Sequence, residues 1–99
     1  MIREIIAFDG RIVQIRPYTD GRTGVLVLEP TGEPWAKLSI NIENSVVDDL
    51  EFVLSHDCNR LVDWISQTGL FEKTGDLVDY GMVTGQPVYR IKKEHIDEL

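Results

Sequence analysis

Short alternating runs of apolar and polar residues cover the first part of this chain, and turn residues separate them. Asp9-Gly10 lies between the apolar runs 5–8 and 11–15, and Asp20-Gly21 precedes the apolar run 25–28. An Asp-Gly pair between apolar runs is a strong hairpin signal, because a two-residue turn needs positive φ at both central positions. The pattern therefore predicts two β-hairpins in this part of the chain.

The next strand is predicted to begin near Pro34, after the turn residues 30–32. Proline suits a strand start or an edge, because it has no N–H for a central ladder. From Trp35 onward the residues alternate with period two, which places Trp35 beside Lys37 on the polar face and Leu38 on the core face. On that face Trp35 would either cover a sheet edge or a tail, or anchor an interface, since tryptophan is enriched at binding hot spots.

The period changes after a short predicted strand at 51–55. Apolar residues then recur at i, i+3, i+4 and i+7, which predicts one helix over 58–68 with its apolar face on Cys58, Leu61, Val62 and Ile65. Asp57 is a suitable N-cap, because its carboxylate can accept a hydrogen bond from an unpaired N–H. Gly69 is placed to end the helix in the left-handed conformation.

The remaining segments complete the predicted architecture. The runs 78–83 and 88–91 flank the turn residues 84–87, which predicts a last hairpin, and 94–99 is predicted to be a fraying acidic tail. The length of 99 residues is that of a single domain, 1–99. We predict an α+β fold in which an antiparallel β-sheet, a meander of hairpins, packs in two layers with one main α-helix.

The charge is strongly acidic, with 17 Asp and Glu residues against 10 Lys and Arg and a net charge of −7. Such a surface repels nucleic-acid phosphates, so direct nucleic-acid binding is not expected. It suits a protein partner with a basic surface, or it keeps the protein in solution. The densest acidic segment predicts a partner-binding surface with Trp35 as its anchor, and its carboxylates are Glu43, Asp48, Asp49 and Glu51. The alternative for each of these side chains is a solvated loop.

Catalytic chemistry is not indicated. Ser55-His56-Asp57 contains the three residue types of a catalytic triad, but neighbours on a strand point to opposite faces and triads assemble from separate segments. Cys58 starts the apolar helix face, which predicts a buried thiol. The acidic spacing around 43–51 does not fit a calcium loop, and no glycine-rich phosphate loop occurs. We therefore expect a non-enzymatic protein with no metal and no cofactor.

The chain contains no signal-peptide pattern at its start and no apolar window of membrane-spanning length. These observations predict a cytoplasmic protein that does not bind membranes. A homodimer formed through an exposed sheet edge is a further possibility.

Residues 32–42 read Gly-Glu-Pro-Trp-Ala-Lys-Leu-Ser-Ile-Asn-Ile. This motif resembles that of an uncharacterised family of small acidic proteins carried on phages, plasmids and conjugative elements. The similarity extends over residues 18–91 and includes 68–75, whereas the first eight residues are less similar. The resemblance implies an origin on a mobile genetic element and transfers no catalytic residue.

Two functions fit these expectations. The first is inhibition of a host nucleic-acid-binding defence protein, of the anti-CRISPR or anti-restriction type, by an acidic surface that stands in for DNA phosphates. The second is an accessory module for conjugation or replication of the element, which would bind its partner through an apolar patch with weak salt dependence. A small enzyme would need convergent polar groups in a pocket, and the sequence indicates none.

Overall fold

The computed structural model describes residues 2–42, 50–92 and 94. These residues form an antiparallel β-rich fold with one short α-helix. A 3₁₀ helix, His56–Leu61, precedes α1, Val62–Thr68. The strands are β1 (Arg3–Ile6), β2 (Ile12–Pro17), β3 (Thr23–Leu28), β4 (Pro34–Lys37), β5 (Ser39–Ile40), β6 (Glu51–Leu54), β7 (Phe71–Tyr80) and β8 (Val83–Ile91).

The described strands form two four-stranded antiparallel sheets, where the sequence predicted one. The first sheet has the order β1-β2-β3-β4, and the second has the order β5-β6-β8-β7. Leu38 lies between β4 and β5 and joins the two sheets. Its N–H donates to the Val25 carbonyl at 3.0 Å, and its carbonyl accepts from the Ser55 N–H at 2.7 Å. One segment of chain therefore supplies an edge strand to both sheets.

The described residues share one hydrophobic core cluster. Both sheets and the helical segment contribute to it, and its fully buried members include Val13, Val27, Leu38, Leu54 and Ile91. Apolar burial of this kind is the main driving force for folding. Because α1 has only seven residues, packing against the sheets is what stabilises it.

The first hairpins are present, but their turns differ from the prediction. The N–H of Gly10 donates to the Ala7 carbonyl, and the N–H of Ala7 donates to the Arg11 carbonyl, which leaves three residues in the loop. The same pattern of hydrogen bonds recurs around Gly21 and Gly32. Each of these glycines has positive φ, whereas Leu50 is the one non-glycine residue with positive φ in the described chain. The prediction of two-residue turns was therefore wrong. The three-residue loop needs the left-handed conformation at its glycine alone.

The predicted helix is divided into two segments. The 3₁₀ helix starts before Cys58, and the α-helix starts at Val62. Cys58, Leu61 and Ile65 are buried as predicted, whereas Val62 is 39% exposed. A 3₁₀ turn has three residues per turn, so it displaces the apolar face relative to a continuous α-helix. This displacement explains why Val62 lies off the core face.

The predicted helix termini have different outcomes. Asp57 lies within the first turn of the 3₁₀ helix, and Ser55 occupies the cap position without a side-chain hydrogen bond, so the predicted N-cap is wrong. Gly69 is confirmed as the C-terminal cap. It adopts a φ of 67°, and its N–H donates to the Ser66 carbonyl.

The last hairpin turns earlier than predicted. Tyr80 pairs with Val83, and residues 84–87 lie within β8 rather than in the turn. Gly81 supplies the positive φ of the turn, and β7 and β8 are longer than the sequence predicted. Pro87 is tolerated in β8 because it lies in the part of the strand that pairs with β7 but not with β6. Of the predicted tail, only Glu94 is within the described residues.

Candidate functional site

The acidic segment lies largely outside the described part of the structure. Glu43, Asp48 and Asp49 all fall in the range 43–49, which is not described. Their predicted role in binding a partner therefore stays a prediction. Two predicted site residues, Trp35 and Glu51, have defined surroundings.

Glu51 is buried in an ion pair within the second sheet. It lies on β6 opposite Arg90 of β8, and its side chain is 5% exposed. The Arg90 Nη2 donates to Glu51 Oε2 at 2.6 Å, and Nη1 lies 3.4 Å from Glu72 Oε1. The hydrogen bond to Glu51 is the largest cause that raises the pKa of Arg90. Desolvation opposes it, and the Glu51 charge and the contact with Glu72 add smaller raising effects. Glu51 is thus part of a cross-strand pair and not of an open acidic surface.

Trp35 lies at a β-bulge in β4. Ala36 pairs with Val27 and Pro34 pairs with Leu28, so Trp35 has no partner of its own on β3. A bulge places two residues opposite one and re-aims a side chain. The Trp35 ring packs edge-to-face on Trp64 of α1, with ring centroids 5.1 Å apart, and it contacts the core. The predicted position on the polar face was therefore wrong, because the alternation is interrupted at this residue.

Charged groups surround the two indoles. The Arg11 guanidinium carbon lies 3.9 Å from the centroid of the Trp35 ring, and Arg11 Nη1 contacts the Asp9 carboxylate. Arg11 Nε lies 3.6 Å from Glu29 Oε2. The Trp64 indole N–H donates to Asp9 Oδ2 at 2.8 Å. We call these five residues, Asp9, Arg11, Glu29, Trp35 and Trp64, the tryptophan cluster.

The tryptophan cluster shifts the ionisation of Asp9. Burial by itself would raise the pKa of this carboxyl. The hydrogen bonds from Trp64 and Arg11, together with the Arg11 charge, outweigh burial and lower the pKa below its ordinary value of 3.8. Asp9 is therefore a carboxylate at neutral pH, held between two donors.

The cluster joins three distant parts of the chain. Asp9 and Arg11 belong to the first hairpin, Glu29 and Trp35 to the turn after β3 and to β4, and Trp64 to α1. Both indoles are half-buried, so each presents part of its ring to solvent beside carboxylates. This arrangement can position α1 on the first sheet, and it also offers an aromatic and anionic surface to a cationic partner group.

Sequence reasoning missed this cluster, although one signal pointed to it. Asp-Gly-Arg occurs at 9–11 and again at 20–22. In the second copy the Arg22 N–H and Nη1 donate to the two carboxylate oxygens of Asp20 at 3.0 and 2.9 Å, and Arg11 contacts Asp9 in the same way. The repeated motif therefore predicts a turn with its own ion pair.

His56 and Cys58 do not form a base–nucleophile pair. The Cys58 thiol is 4% exposed and donates to the Lys37 carbonyl at 3.2 Å. Burial raises the pKa of the Cys58 thiol. The Arg60 charge lowers it and the Asp57 charge raises it, and both effects are smaller than that of burial. The His56 Nδ1 is 3.3 Å from the Asn59 side-chain amide. The predicted burial of Cys58 is confirmed, and the two side chains have different partners.

A pair of side-chain amides, the buried Gln86 and the exposed Asn59, fixes the 3₁₀ helix to β8. Gln86 is 3% exposed, and its Nε2 donates to the Leu54 carbonyl at 2.8 Å and to Asn59 Oδ1 at 3.1 Å. Asn59 Nδ2 donates in return to Gln86 Oε1 at 3.1 Å. The His56 N–H donates to the Tyr80 hydroxyl at 2.9 Å. The polar groups of this region are used to hold elements together.

The described residues lack two common functional features. They contain no group of three or more His, Cys, Asp or Glu side chains placed to hold a metal ion. No helix in the same part of the chain is long and apolar enough to cross a membrane.

No protein-family model, curated protein or solved structure matches this chain.

Proposed function

We propose that this protein is a non-enzymatic interaction protein that binds the basic surface of a host nucleic-acid-binding protein. The partner class is a defence protein, which the chain would inhibit in the manner of anti-CRISPR or anti-restriction proteins. The net charge of −7 supports this proposal, because an acidic protein is attracted to a basic groove and repels nucleic acid. The protein would work in the cytoplasm, where such defence proteins act.

The observation that carries the proposal is the distribution of ion pairs. Arg11, Arg22 and Arg90 each pair with a carboxylate of the same chain. Asp57, Asp63 and Asp76 are exposed and have no ion pair within residues 2–42 and 50–92. Part of the basic charge is thus used internally, while carboxylates remain accessible to a partner.

The tryptophan cluster is the contact that we propose for the centre of the interface. Trp35 and Trp64 present partly exposed indoles next to Asp9 and Glu29. Aromatic rings close to carboxylates suit arginine or lysine side chains of a basic partner. The predicted partner contacts of Glu43, Asp48 and Asp49, which lie outside the described residues, belong to the same proposal.

We also propose the finer architecture on which this interface depends. It is a two-layer α+β fold in which a meander of hairpins packs with α1 as the one main helix. The packing of Trp64 of α1 on Trp35 of β4 supports this assignment. An origin on a phage, plasmid or conjugative element is part of the same proposal, and it is supported by the resemblance of residues 32–42.

A second candidate function is an accessory module that binds a protein of the mobile element through an apolar surface. One observation favours it. On the outer face of the first sheet, Ile6, Ile12, Leu28 and Pro34 are consecutive cross-strand partners. Ile6 is 67% exposed and the nearby Phe8 is 61% exposed. A surface of this kind predicts binding that survives high salt.

The two functions are separated by an affinity pull-down of the tagged protein from host lysate, read by mass spectrometry. The pull-down is run at low salt and at about 0.5 M salt, where exposed charges are strongly screened. Capture of one nucleic-acid-binding defence protein at low salt alone supports inhibition. The variant Asp48→Lys/Asp49→Lys should lose this capture, and undiminished inhibition by it would contradict the proposal.

The matched control is Ile6→Thr, which changes the outer apolar face and leaves the charge unaltered. Under the first function this variant captures the same defence protein as the wild type. Under the second function it loses a mobile-element protein that the wild type retains at high salt.

A further inference from the structure

A pocket of about 360 Å³ opens on the first sheet, and none of the residues of the tryptophan cluster lines it. Its lining includes Arg16 and Tyr18 from the second hairpin, Gly24 and Leu26 from β3, and Lys37 from β4. The volume lies within the range of small-molecule sites. None of these residues has a part in the proposed function.

Gly24 allows the Tyr18 ring, which forms one wall of the pocket, to lie close to β3. It lies opposite Arg16 in the β2–β3 ladder, and it is not among the glycines with positive φ. A Cβ at this position would lie 2.8 Å from the Arg16 carbonyl oxygen and 3.3 Å from two atoms of the Tyr18 ring. Glycine is therefore required here because a side chain would clash, and not because of the backbone conformation. A glycine of this kind within a strand marks the close approach of another group.

The Tyr18 wall is held in place by hydrogen bonds. The Tyr18 hydroxyl lies 2.8 Å from the Ser39 hydroxyl oxygen, and the Val25 N–H donates to the same Ser39 oxygen at 2.9 Å. Ser39 is 1% exposed. The aromatic wall is therefore formed before any ligand arrives, which lowers the entropic cost of binding.

Two cations share this pocket. Arg16 and Lys37 form no ion pair with any carboxylate in the described part of the chain. Arg16 Nη2 donates to the neutral Gln14 Oε1 at 2.5 Å, and Gln14 donates in turn to Glu4 at 2.8 Å. Lys37 Nζ lies 5.7 Å from the centroid of the Tyr18 ring. A chain with a net charge of −7 thus keeps two cations at one concave site without a carboxylate partner.

We propose that this pocket binds the phosphoryl group of a small phosphate monoester. Such a group carries nearly two negative charges at neutral pH, which matches the two cations, whereas a carboxylate carries one. The planar guanidinium of Arg16 can donate two hydrogen bonds to it, and Lys37 adds a point charge. Leu26 and Tyr18 provide apolar walls for the organic part of the ligand. A nucleic-acid strand is disfavoured as the source, because the surrounding acidic surface repels its other phosphates.

The test is a titration of ¹⁵N-labelled protein with phenyl phosphate, followed by two-dimensional NMR. We expect the backbone amides of Gly24, Leu26 and Lys37 to shift in a saturable way. Arg16→Gln and Lys37→Gln should each weaken binding about tenfold, the loss that follows removal of one charge-assisted contact. The dispersed spectrum of each variant shows that it is folded. Lys73→Gln, on the edge strand β7 of the second sheet, is the matched control and should change the affinity less than twofold.

Three further probes define the ligand class. Inorganic phosphate should bind at the same amides, and phenylacetate should bind more weakly than phenyl phosphate. A short 5′-phosphorylated single-stranded oligonucleotide should not bind more tightly than phenyl phosphate. The proposal is overturned if the amides around the pocket do not respond, if phenylacetate binds as tightly, if the oligonucleotide binds more tightly, or if Arg16→Gln and Lys37→Gln leave the affinity unchanged.

Discussion

The indole N–H of Trp64 donates a 2.8 Å hydrogen bond to the carboxylate of Asp9, which is 55 residues earlier in the chain. This contact fixes α1 against the first hairpin, and Arg11 and Trp35 complete the arrangement. A hydrogen bond to a charged group is worth more than one between neutral groups. Substitution of Trp64 or Asp9 therefore tests how much this contact between α1 and the first hairpin stabilises the fold.

Replacement of Trp64 by Phe should keep the aromatic contact with Trp35 and remove the hydrogen bond to Asp9. We expect the free energy of unfolding to fall by about 1 to 2 kcal/mol, the usual contribution of such a bond. Urea denaturation measures the change. In Asp9→Asn the same substitution should cost less, because the charged acceptor is already gone. Equal costs in the two backgrounds would show that the hydrogen bond is not the cause.

Asp9 should also make stability depend on pH. Its folded pKa is below the ordinary value of 3.8, so the unfolded chain binds a proton more readily. The contribution of Asp9 is therefore fully present above about pH 5, and it is lost as the pH falls through the unfolded and then the folded pKa. Urea midpoints measured between pH 6 and pH 2.5 should fall more steeply for the wild type than for Asp9→Asn. Parallel profiles would contradict this origin of the pH dependence.

Gln86 should be one of the more sensitive polar residues. Gln86→Leu removes the donor to the Leu54 carbonyl and both hydrogen bonds between Gln86 and the exposed Asn59 amide. Since Gln86 is 3% exposed, we expect a loss of about 2 to 3 kcal/mol in the free energy of unfolding. A double-mutant cycle with Asn59→Ala should give a coupling of about 1 kcal/mol. A coupling near zero would mean that the amide pair does not stabilise the fold.

Gly24→Ala should destabilise the first sheet by about 2 kcal/mol, because the added methyl group meets the Arg16 carbonyl at 2.8 Å. Backbone atoms cannot move aside as a flexible side chain can. The Tyr18 ring should also shift, which the NMR signals of its ring protons would report. Stability equal to that of the wild type, with unchanged Tyr18 signals, would show that this glycine is not required by space.

The Cys58 thiol should be unreactive in the folded protein. It is 4% exposed, and burial raises its pKa, so less of it is thiolate at neutral pH than in an unfolded chain. We expect a disulfide reagent such as DTNB to react at least about a hundredfold more slowly in buffer than in denaturant, because reaction requires opening of the core. Similar rates in the two conditions would contradict the burial of this side chain.

Local signals in the chain determined the hairpins and part of the helix. Gly10, Gly21 and Gly69 adopt positive φ where the sequence placed turns and a helix end, since a glycine imposes its conformation through contacts within a few residues. The burial of Cys58 and Ile65 follows from their helical spacing. These features need no knowledge of which strands become neighbours.

Tertiary structure alone decided the positions of Trp35 and Glu51. Trp35 leaves the polar face because β4 pairs with β3 through a bulge, and a pairing register is a property of two strands. Glu51 is buried because β8 places Arg90 beside it, 39 residues later in the chain. Periodicity within one segment cannot predict either position. The division into two sheets has the same origin, since Leu38 bonds to both Val25 and Ser55, and only the folded chain brings those partners together.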